Sequence, residues 1–266
     1  MIITLSSTIK NIIYGGDIHA AYNLIMYHIR HYKITDSVFI MCGDFGIGFE
    51  KYEHYVNHVL PELHKVLKKS NCVVIIVRGN HDDPSYFDGE KINTKYVKAV
   101  PDYSIIQVCN KNILCIGGAV SIDRTYRQQT DSVKIVNYMK YHDCDYKTAY
   151  EKCIYSWWEN ENVNYQPKVS ERVDIICSHS APTFCYPTDK GGIVMDYAQY
   201  DENLLQDIQK ERETLDRIYE DYKNEITHWY YGHFHQSMFQ EINNVKFRLL
   251  GIGEFIRHID NDYDFM

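Results

Sequence analysis

The chain lacks the two features that take proteins into or across membranes. Its 266 residues contain no run of about 18 apolar residues, so no membrane-spanning helix is expected. The first ten residues, MIITLSSTIK, do not show a basic start, an apolar stretch and a small-residue cleavage site, which together mark a secretory signal peptide. We therefore expect neither export nor membrane insertion.

Paired cysteine spacing is also missing. None of the eight cysteines forms a Cys-x-x-Cys pair, which excludes a zinc ribbon. A disulfide framework is uncommon in a chain of this length. Four cysteines lie in apolar, strand-like runs and are interpreted as reduced, buried packing residues: Cys42, Cys72, Cys115 and Cys177. This use of cysteine favours a reducing, cytoplasmic location.

The motifs of several common enzyme classes are absent. The chain has no Gly-x-x-x-x-Gly-Lys phosphate loop, no Gly-x-Ser-x-Gly elbow and no His-Glu-x-x-His helix. Gly251 and Gly253 have the first spacing of a dinucleotide-binding turn but lack its third glycine. These absences argue against the corresponding nucleoside triphosphatase, serine hydrolase, zinc protease and dinucleotide-binding functions.

Basic residues are outnumbered by acidic ones. The chain has 28 Lys and Arg against 36 Asp and Glu, a net charge of −8, so its overall field repels a polyphosphate backbone at long range. Nucleic acid is therefore a disfavoured partner, although a local contact stays open. With 45% hydrophobic and 24% charged residues the composition is that of a soluble globular protein, and we expect one domain over 1–266.

Short apolar runs and helical periodicity predict an α/β fold. Five apolar runs predict buried strands, and they end before Gly15, Gly43, Gly79, Ser178 and Gly232. Helical periodicity over 20–32 and 52–69 separates the first three runs, an order that favours a parallel sheet. A hairpin is predicted over 103–116 around 110–112, longer polar helices over 131–158 and 201–223, and short strands over 238–258.

Side chains able to bind metal follow each of the five predicted strands. The carboxyl ends of strands in an open α/β sheet form the edge where ligands bind, so these side chains are expected to meet there. Counted together they are seven, which is too many for one tetrahedral zinc: Asp17, His19, Asp44, Asn80, His179, His233 and His235.

The donor set predicts two adjacent metal ions. Oxygen and imidazole ligands without thiolate fit Mn²⁺, Fe or Zn²⁺ better than Ca²⁺. Two ions about 3.5–4 Å apart, joined by a shared carboxylate, would clamp the attacking and leaving oxygens of a displacement at phosphorus. Asp44 is the candidate for the shared carboxylate.

Five segments, taken in order, resemble the calcineurin-like metallophosphoesterase superfamily. They are Gly16-Asp17-Ile18-His19, Gly43-Asp44, Gly79-Asn80-His81-Asp82, Ser178-His179 and Gly232-His233-Phe234-His235. The resemblance implies a four-layer αββα sandwich of two mixed β-sheets flanked by helices. It also implies hydrolysis of a phosphoester by a metal-bound hydroxide at a dinuclear centre. The segments at 121–170 and 183–225 would then be helical insertions, expected to cap the site.

The resemblance also implies individual roles. It assigns the first metal to Asp17, His19 and His235, the second to Asn80, His179 and His233, and the bridge to Asp44. His81 would face the scissile phosphate as general acid or charge stabiliser, and Asp82 would hold the His81 imidazole in the correct tautomer.

Three arginines are candidates for substrate binding. Arg78 matches a phosphate-contacting arginine of the serine/threonine protein phosphatases, and a guanidinium suits that bidentate task. That branch has an Asp-Arg-Gly segment where this chain has residues 45–48, Phe-Gly-Ile-Gly, which argues against transferring its substrate class. Residues 117–127 and 157–159 are similar to a bacterial and phage subgroup of undefined substrate, and there Arg124 and Arg127 could supply the missing positive charge.

The resulting prediction is a phosphomonoesterase or phosphodiesterase for a small or nucleotide-like substrate, using two divalent ions, most simply Mn²⁺ or Fe. A nuclease or a protein phosphatase of the same superfamily is the enzymatic alternative, and a non-catalytic scaffold is the alternative of another class. A minor hypothesis assigns base stacking to four aromatic residues whose more usual role is core packing: Tyr126, Trp157, Trp158 and Tyr165.

Overall fold

The computed structural model describes residues 1–187 and 191–259, together with the backbone of a short strand at 264–265. Thirteen strands occur in this part of the chain. They are β1 Ile2–Thr4, β2 Asn11–Gly15, β3 Ser37–Met41, β4 Val73–Ile76, β5 Val97–Ala99, β6 Ser104–Val108, β7 Lys111–Ile116, β8 Ile175–Ser178, β9 His228–Tyr231, β10 Met238–Ile242, β11 Val245–Leu249, β12 Phe255–Arg257 and β13 Asp264–Phe265.

Seven α-helices occur in the same residues. They are α1 Asn23–His31, α2 Tyr52–His54, α3 Leu60–Ser70, α4 Arg124–His142, α5 Tyr146–Lys152, α6 Gly191–Ala198 and α7 Leu204–Tyr222. A π-helical turn at Tyr55–Val59 joins α2 to α3 without a break. None of the helices in the described residues is long and apolar enough to cross a bilayer.

The strands form two mixed sheets. The first has the order β13-β12-β2-β3-β4-β5, with β2, β3, β4 and β5 parallel. The second has the order β1-β6-β7-β8-β9-β11-β10, with β7, β8, β9 and β11 parallel. The predicted fold of two mixed sheets flanked by helices is confirmed.

Alternation along the strands generates the four layers. Ile13 of β2 and Phe39 of β3 face one way and pack with α1 and α3 in one hydrophobic cluster. Their neighbours, such as Ile12 and Ile40, face the other way and pack against the second sheet. On the far side of that sheet, Trp229 packs in a third cluster with residues of α7. The layers are therefore helices, sheet, sheet and helices.

A tyrosine pair lies at the centre of the inter-sheet layer. The rings of Tyr14 on β2 and Tyr230 on β9 are stacked, with centroids 3.6 Å apart and planes 9° from parallel. Both side chains are completely buried. The stacked pair therefore connects one strand of each sheet. Each of the two tyrosines lies three residues before a predicted metal ligand.

Some local predictions are corrected by the structure. The helix predicted over 131–158 is two helices, because Asp143 adopts a left-handed conformation (φ 47°) that ends α4. The hairpin turn lies at Cys109 and Asn110, both with positive φ, and residues 111–112 belong to β7. Helix α6 is not among the individually predicted helices but lies within the expected helical insertion at 183–225, of which residues 188–190 lie outside the described residues.

All eight cysteines are free thiols. Cys42, Cys72, Cys115 and Cys177 are buried, as their position in apolar runs predicts. The sulfur atoms of Cys42 and Cys177 lie 3.5 Å apart across the inter-sheet layer without a bond between them.

Candidate metal centre

The carboxyl ends of five strands from both sheets meet at one edge of the sandwich. Strands β2, β3 and β4 of the first sheet lead to Asp17 and His19, to Asp44, and to Asn80 and His81. Strands β8 and β9 of the second sheet lead to His179, and to His233 and His235. The site is therefore built across the two sheets, and the inter-sheet core fixes the spacing between its halves.

The backbone reverses sharply at the residues that carry these side chains. His19, Asp44, His233 and His235 all have positive φ, at 41°, 46°, 71° and 54°. Such conformations are uncommon for residues with a side chain and are retained where the surrounding structure over-determines them, often at functional sites. Four of the seven predicted ligands share this feature, so the turns are bent in a way that directs their side chains toward one point.

Glycines before the ligands make room for side chains from other strands. A Cβ on Gly43 would overlap the imidazole of His179, and one on Gly79 would overlap the carboxylate of Asp44. Gly43 also has φ of 93°, which a residue with a side chain rarely adopts. The Gly-Asp and Gly-Asn-His-Asp spacings thus have a steric cause.

A first ligand group consists of Asp17, His19, Asp44 and His235. One donor atom from each lies within 4.8 Å of the other three. His235 Nε2 lies 3.3 Å from Asp17 Oδ2 and 3.2 Å from His19 Nε2. Two carboxylates, one from Asp17 and one from Asp44, and two imidazoles therefore converge on one small volume.

A second ligand group consists of Asn80, His179 and His233, with Asp44 again adjacent. Asn80 Oδ1 lies 2.9 Å from His179 Nε2 and 3.0 Å from His233 Nδ1. His179 Nε2 is also 3.3 Å from Asp44 Oδ1. On its other side, His179 Nδ1 donates to the Cys42 carbonyl at 2.7 Å, which leaves the Nε2 lone pair directed at the group.

Asp44 lies between the two groups. Its Oδ1 accepts the His81 backbone N–H at 2.8 Å, whereas its buried Oδ2 has no hydrogen-bond partner in the described residues. Burial alone would raise the pKa of Asp44, but the neighbouring imidazoles, first that of His179, hold it well below the ordinary value. A buried ionised oxygen without a partner, facing imidazole and amide acceptors, fits a cation. The residues present therefore fit two metal ions that share Asp44.

His81 lies beside the ligands without belonging to either group. Its Nε2 is 3.9 Å from Asp44 Oδ2 and 3.5 Å from Arg127 Nη2. Burial is the main cause that lowers the pKa of His81. The ring therefore borders the space in which a substrate would contact the metals.

The structure corrects the contact predicted for Asp82. Its carboxylate does not hydrogen bond to the His81 ring among the described contacts. Instead it accepts four backbone N–H groups, from Phe45, Gly46, Ile47 and Gly79. Burial raises the pKa of Asp82 to about 6. Asp82 thus holds the loop after Asp44 against the turn that carries Asn80.

Arg78 contacts the chain rather than the site. It is 4% exposed, and its guanidinium donates to Asp102 at 2.8 Å. It also donates to the carbonyls of three consecutive residues, Asn160, Glu161 and Asn162. The guanidinium predicted to bind phosphate is therefore engaged in attaching the 160–162 segment to the end of β4.

Arg124 and Arg127 have different surroundings. Arg124 pairs with Asp201 at 2.5 Å and with Asp207 at 2.8 Å, so two carboxylates already neutralise its charge. Arg127 pairs with Asp123 at 2.7 Å and borders the site. Of the two arginines, only Arg127 is placed near the ligands.

A cavity of about 270 Å³, called here the site pocket, opens over both ligand groups. Asp44, Asn80, His233 and His235 line one side of it. Residues that the sequence analysis did not single out line the other side, among them Asp123, Tyr186, Val194 and Tyr197. The sequence offered one signal for them, since Asp123 lies four residues before Arg127, a spacing that brings two side chains together where the segment is helical.

The four aromatic residues considered for base stacking do not act as a group. Tyr165 is hydrogen bonded to Asp221 and packs under Arg217. Trp157 and Trp158 are half-buried in the segment that precedes Glu161. Tyr126 alone of the four is more than half exposed and lines a cavity.

Comparisons with known proteins identify the family of the chain. The family model described as calcineurin-like phosphoesterase matches residues 11–237 and confirms the predicted resemblance. A solved cold-active protein tyrosine phosphatase is similar at 16% identity, over 99% of this chain and 80% of that one, with a TM-score of 0.35. A protein serine/threonine phosphatase from Saccharomyces cerevisiae is similar at 11% identity, over 97% and 75%, with a TM-score of 0.36. No curated protein matches significantly. The family match carries the identification.

Proposed function

Because the chain belongs to the calcineurin-like phosphoesterases, a family of metal-dependent phosphoester hydrolases, we propose that it hydrolyses a small or nucleotide-like phosphomonoester or phosphodiester. The observation that carries this proposal is the buried carboxylate of Asp44, which lies between the two ligand groups with one oxygen unpartnered in the described residues.

The chain would hold two divalent ions, which we propose to be Mn²⁺ or Fe, with Zn²⁺ as a further option. Asp17, His19 and His235 would bind one ion, Asn80, His179 and His233 the other, and Asp44 both. When bound, such a pair activates water as a nucleophile and neutralises charge on the phosphoryl oxygens. The absence of thiolate from the donor set supports these metals over a structural zinc site.

Two further side chains are assigned to the substrate. His81 Nε2 lies 3.9 Å from the unpartnered oxygen of Asp44, so we assign His81 to proton transfer or hydrogen bonding at the leaving oxygen. Arg127 reaches His81 Nε2 with Nη2 at 3.5 Å while Asp123 holds its Nε, so we assign Arg127 to a phosphoryl oxygen. Arg124 is left out because Asp201 and Asp207 already occupy its guanidinium.

The dimensions and charge of the site support a small substrate. The site pocket has about 270 Å³, and the chain carries a net charge of −8. An extended polyanion would meet this negative field over its whole length. The eight free thiols, six of them buried, support the further proposal that the protein resides in the cytoplasm.

The test combines metal content with hydrolysis of p-nitrophenyl phosphate and bis-p-nitrophenyl phosphate in Mn²⁺. We expect about two ions per chain in the wild type and turnover of one substrate in preference to the other. Asp44→Asn should lose metal and activity together, and His81→Ala should keep the metal and lose activity by about 10²–10⁴-fold. His142→Ala, an exposed histidine at the end of α4, is the matched control and should change neither.

The other outcomes are distinct. Two ions without turnover of either substrate, or of a nucleotide, would favour the scaffold alternative. Cleavage of DNA that exceeds hydrolysis of small esters and falls steeply with salt would identify a nuclease. Turnover only of phosphorylated protein would identify a protein phosphatase. A chain that binds no metal, in which Mn²⁺ produces no activity, would refute the proposal.

A further inference from the structure

A second cavity, called here the tyrosine pocket, adjoins the site pocket. It has about 460 Å³ and lies between the beginning of α4 and helix α6. Six of its lining residues are Ile122, Tyr126, Gln129, Asp196, Tyr197 and Tyr200. Ile122 and Tyr197 line both cavities, so the two pockets share a wall.

Helical spacing explains how one helix serves both pockets. Asp123, immediately before α4, and Arg127, four residues later, face the site pocket, whereas Tyr126 and Gln129, three apart, face the tyrosine pocket. The shared wall is held in place from behind, because Ile122 and Tyr197 pack on a cluster formed by Val120, Val194, Leu204 and Ile208. A substrate fixed by its phosphate at the ligand groups would therefore direct its organic part past a rigid wall.

The aromatic rings of the tyrosine pocket are available for stacking. Tyr126 is 68% exposed and Tyr200 is 77% exposed, although both are large hydrophobic side chains. In the described part of the chain, none of the three tyrosines of this pocket (Tyr126, Tyr197 and Tyr200) is in contact with another aromatic ring. The lining contains no lysine, arginine or histidine, so the pocket offers no partner for a second phosphate.

We propose that the tyrosine pocket binds the planar aromatic base of a nucleotide-like phosphoester whose phosphate is at the metal centre. The proposal rests on the proposed function and names its substrate class. The tyrosine rings supply sequence-tolerant stacking, which every base can use through its π-face. The carboxylate of Asp196 and the amide of Gln129 lie in the same lining, where they can pair with N–H and carbonyl groups on the edge of the base.

The experiment separates base binding from hydrolysis. Adenosine, which has no phosphate, is titrated calorimetrically into the wild type, Tyr126→Ala, Tyr126→Phe and the control Tyr141→Ala, an exposed tyrosine on the same helix. We expect adenosine but not ribose to bind. Tyr126→Ala should weaken binding about tenfold or more, and Tyr126→Phe should restore it, because the ring rather than the hydroxyl stacks. The same proteins are then compared in hydrolysis of adenosine 5′-monophosphate and ribose 5-phosphate.

Each result decides one of the two proposals. Failure of adenosine to bind, or equal binding by Tyr126→Ala and wild type, would overturn the base pocket even if both phosphates are hydrolysed. Hydrolysis of neither phosphate and of neither p-nitrophenyl ester, with adenosine binding that depends on Tyr126, would overturn the hydrolase proposal and leave the base pocket standing. Preference for the nucleotide that disappears in Tyr126→Ala would support both.

An independent observation concerns a chain of buried hydrogen bonds behind the second ligand group. Asn80 Nδ2 donates to Ser121 Oγ at 2.8 Å, and Ser121 Oγ donates to Glu161 Oε2 at 2.7 Å. The backbone N–H of Ser121 donates to the other oxygen of Glu161 at 2.8 Å. All three residues are 1% exposed. The Arg78 guanidinium donates a hydrogen bond to the Glu161 carbonyl at 2.7 Å. Because Arg78 lies two residues before Asn80, this bond connects Glu161 directly to the turn that carries Asn80.

We infer that Ser121 and Glu161 are positioning residues for metal binding by Asn80. An amide can present either oxygen or nitrogen, and only the oxygen can bind a cation. Because Ser121 occupies the amide nitrogen, Oδ1 is directed toward His179 and His233. Glu161 orients Ser121 by accepting from both its hydroxyl and its backbone N–H, so a residue in the segment that precedes β8 determines the orientation of a ligand in the turn after β4.

The test measures the two metal affinities separately. Mn²⁺ is titrated into the wild type, Ser121→Ala and Glu161→Gln, and electron paramagnetic resonance distinguishes coupled pairs from single ions. Ser121→Ala should weaken the second site about 10–100-fold and leave the first unchanged, producing single-ion spectra. Glu161→Gln keeps an oxygen for the Ser121 N–H and should retain the coupled signal. Identical isotherms for Ser121→Ala and wild type, or equal weakening of both sites with a lowered Tm, would overturn the inference.

Discussion

The stacked pair of Tyr14 and Tyr230 offers a sharp test of how the two halves of the site are held together. The rings are alike, buried and 3.6 Å apart, but their hydroxyl groups differ. The Tyr230 hydroxyl is hydrogen bonded to His258 Nδ1 at 2.8 Å, whereas the Tyr14 hydroxyl has no partner in the described residues. Replacing each tyrosine by phenylalanine keeps the stack and removes only the hydroxyl.

The two substitutions should therefore change the free energy of unfolding in opposite directions. A buried hydroxyl without a partner costs about 1–3 kcal/mol of desolvation, so Tyr14→Phe should stabilise the fold by about 1 kcal/mol after the small void is allowed for. Tyr230→Phe removes a hydrogen bond and leaves His258 Nδ1 with one contact fewer, so it should destabilise by about 1 kcal/mol. The expected difference between the variants is about 2 kcal/mol.

Thermal and urea unfolding of both variants measures this difference. For a chain of this size 1 kcal/mol moves Tm by about 2–4 °C, so the variants should differ by about 4–8 °C. Mn²⁺ affinity should be unchanged in both, because the ring stack between β2 and β9 is intact. Equal destabilisation by Tyr14→Phe and Tyr230→Phe would refute the reasoning, since it would mean that the Tyr14 hydroxyl is satisfied.

Three further predictions follow from the site. In Gly79→Ala the new Cβ would overlap Asp44, so calorimetric Mn²⁺ binding should fall by at least tenfold; unchanged binding would contradict the steric argument. Burial raises the pKa of Glu161 to about 7 from 4.5, so the folded state favours the protonated acid, and this contribution is complete below about pH 4.5 and lost as pH rises through 7. Relative to Glu161→Gln, wild-type stability in urea should thus fall by about 3 kcal/mol between pH 4.5 and 8, whereas a constant difference would place the carboxylate in contact with water. Chelation should lower Tm by several degrees in the wild type but not in Asp44→Asn, because ions that bind only the native state stabilise it by mass action.

Much of the fold was accessible from the sequence because the strands that form its centre are buried on both faces. Runs such as residues 38–42 and 72–77 are apolar throughout, as expected for parallel strands inside a layered sandwich. Polar residues that follow such runs can only lie at the sheet edge. The gathering of Asp17, His19, Asp44 and His235 at one edge follows from that rule together with the strand order.

Other features depended on partners that are distant in sequence. Nothing in residues 117–127 indicates that Arg124 pairs with Asp201 and Asp207, since those carboxylates arrive on a later segment. Arg78 is likewise engaged by residues 160–162, far along the chain. Hydrophobic periodicity predicts which segments are strands or helices, but it does not identify the partner of a charged side chain. Sequence patterns can therefore single out an arginine as a candidate without showing which carboxylate or carbonyl it contacts.

Short elements were also missed for a physical reason. Strands β1 and β5 have three residues each, too few to establish an alternating pattern. Helix α6 begins with Gly191 and Gly192, which are poor helix formers, and its apolar residues include exposed ones. Its helical state depends on packing against α7 and the 120–122 segment, which no local propensity records.

The distribution of the ligands along the chain has a consequence for biosynthesis. Each ligand group combines residues that follow β2, β3 or β4 with residues that follow β8 or β9. Neither group is therefore complete until β8 and β9 have joined the second sheet. A nascent chain that exposes only its first hundred residues carries oxygen and nitrogen donors but no finished binding site. Metal loading would then mark the end of folding, and a cell short of the metal would accumulate a fully translated chain that lacks this last stabilisation.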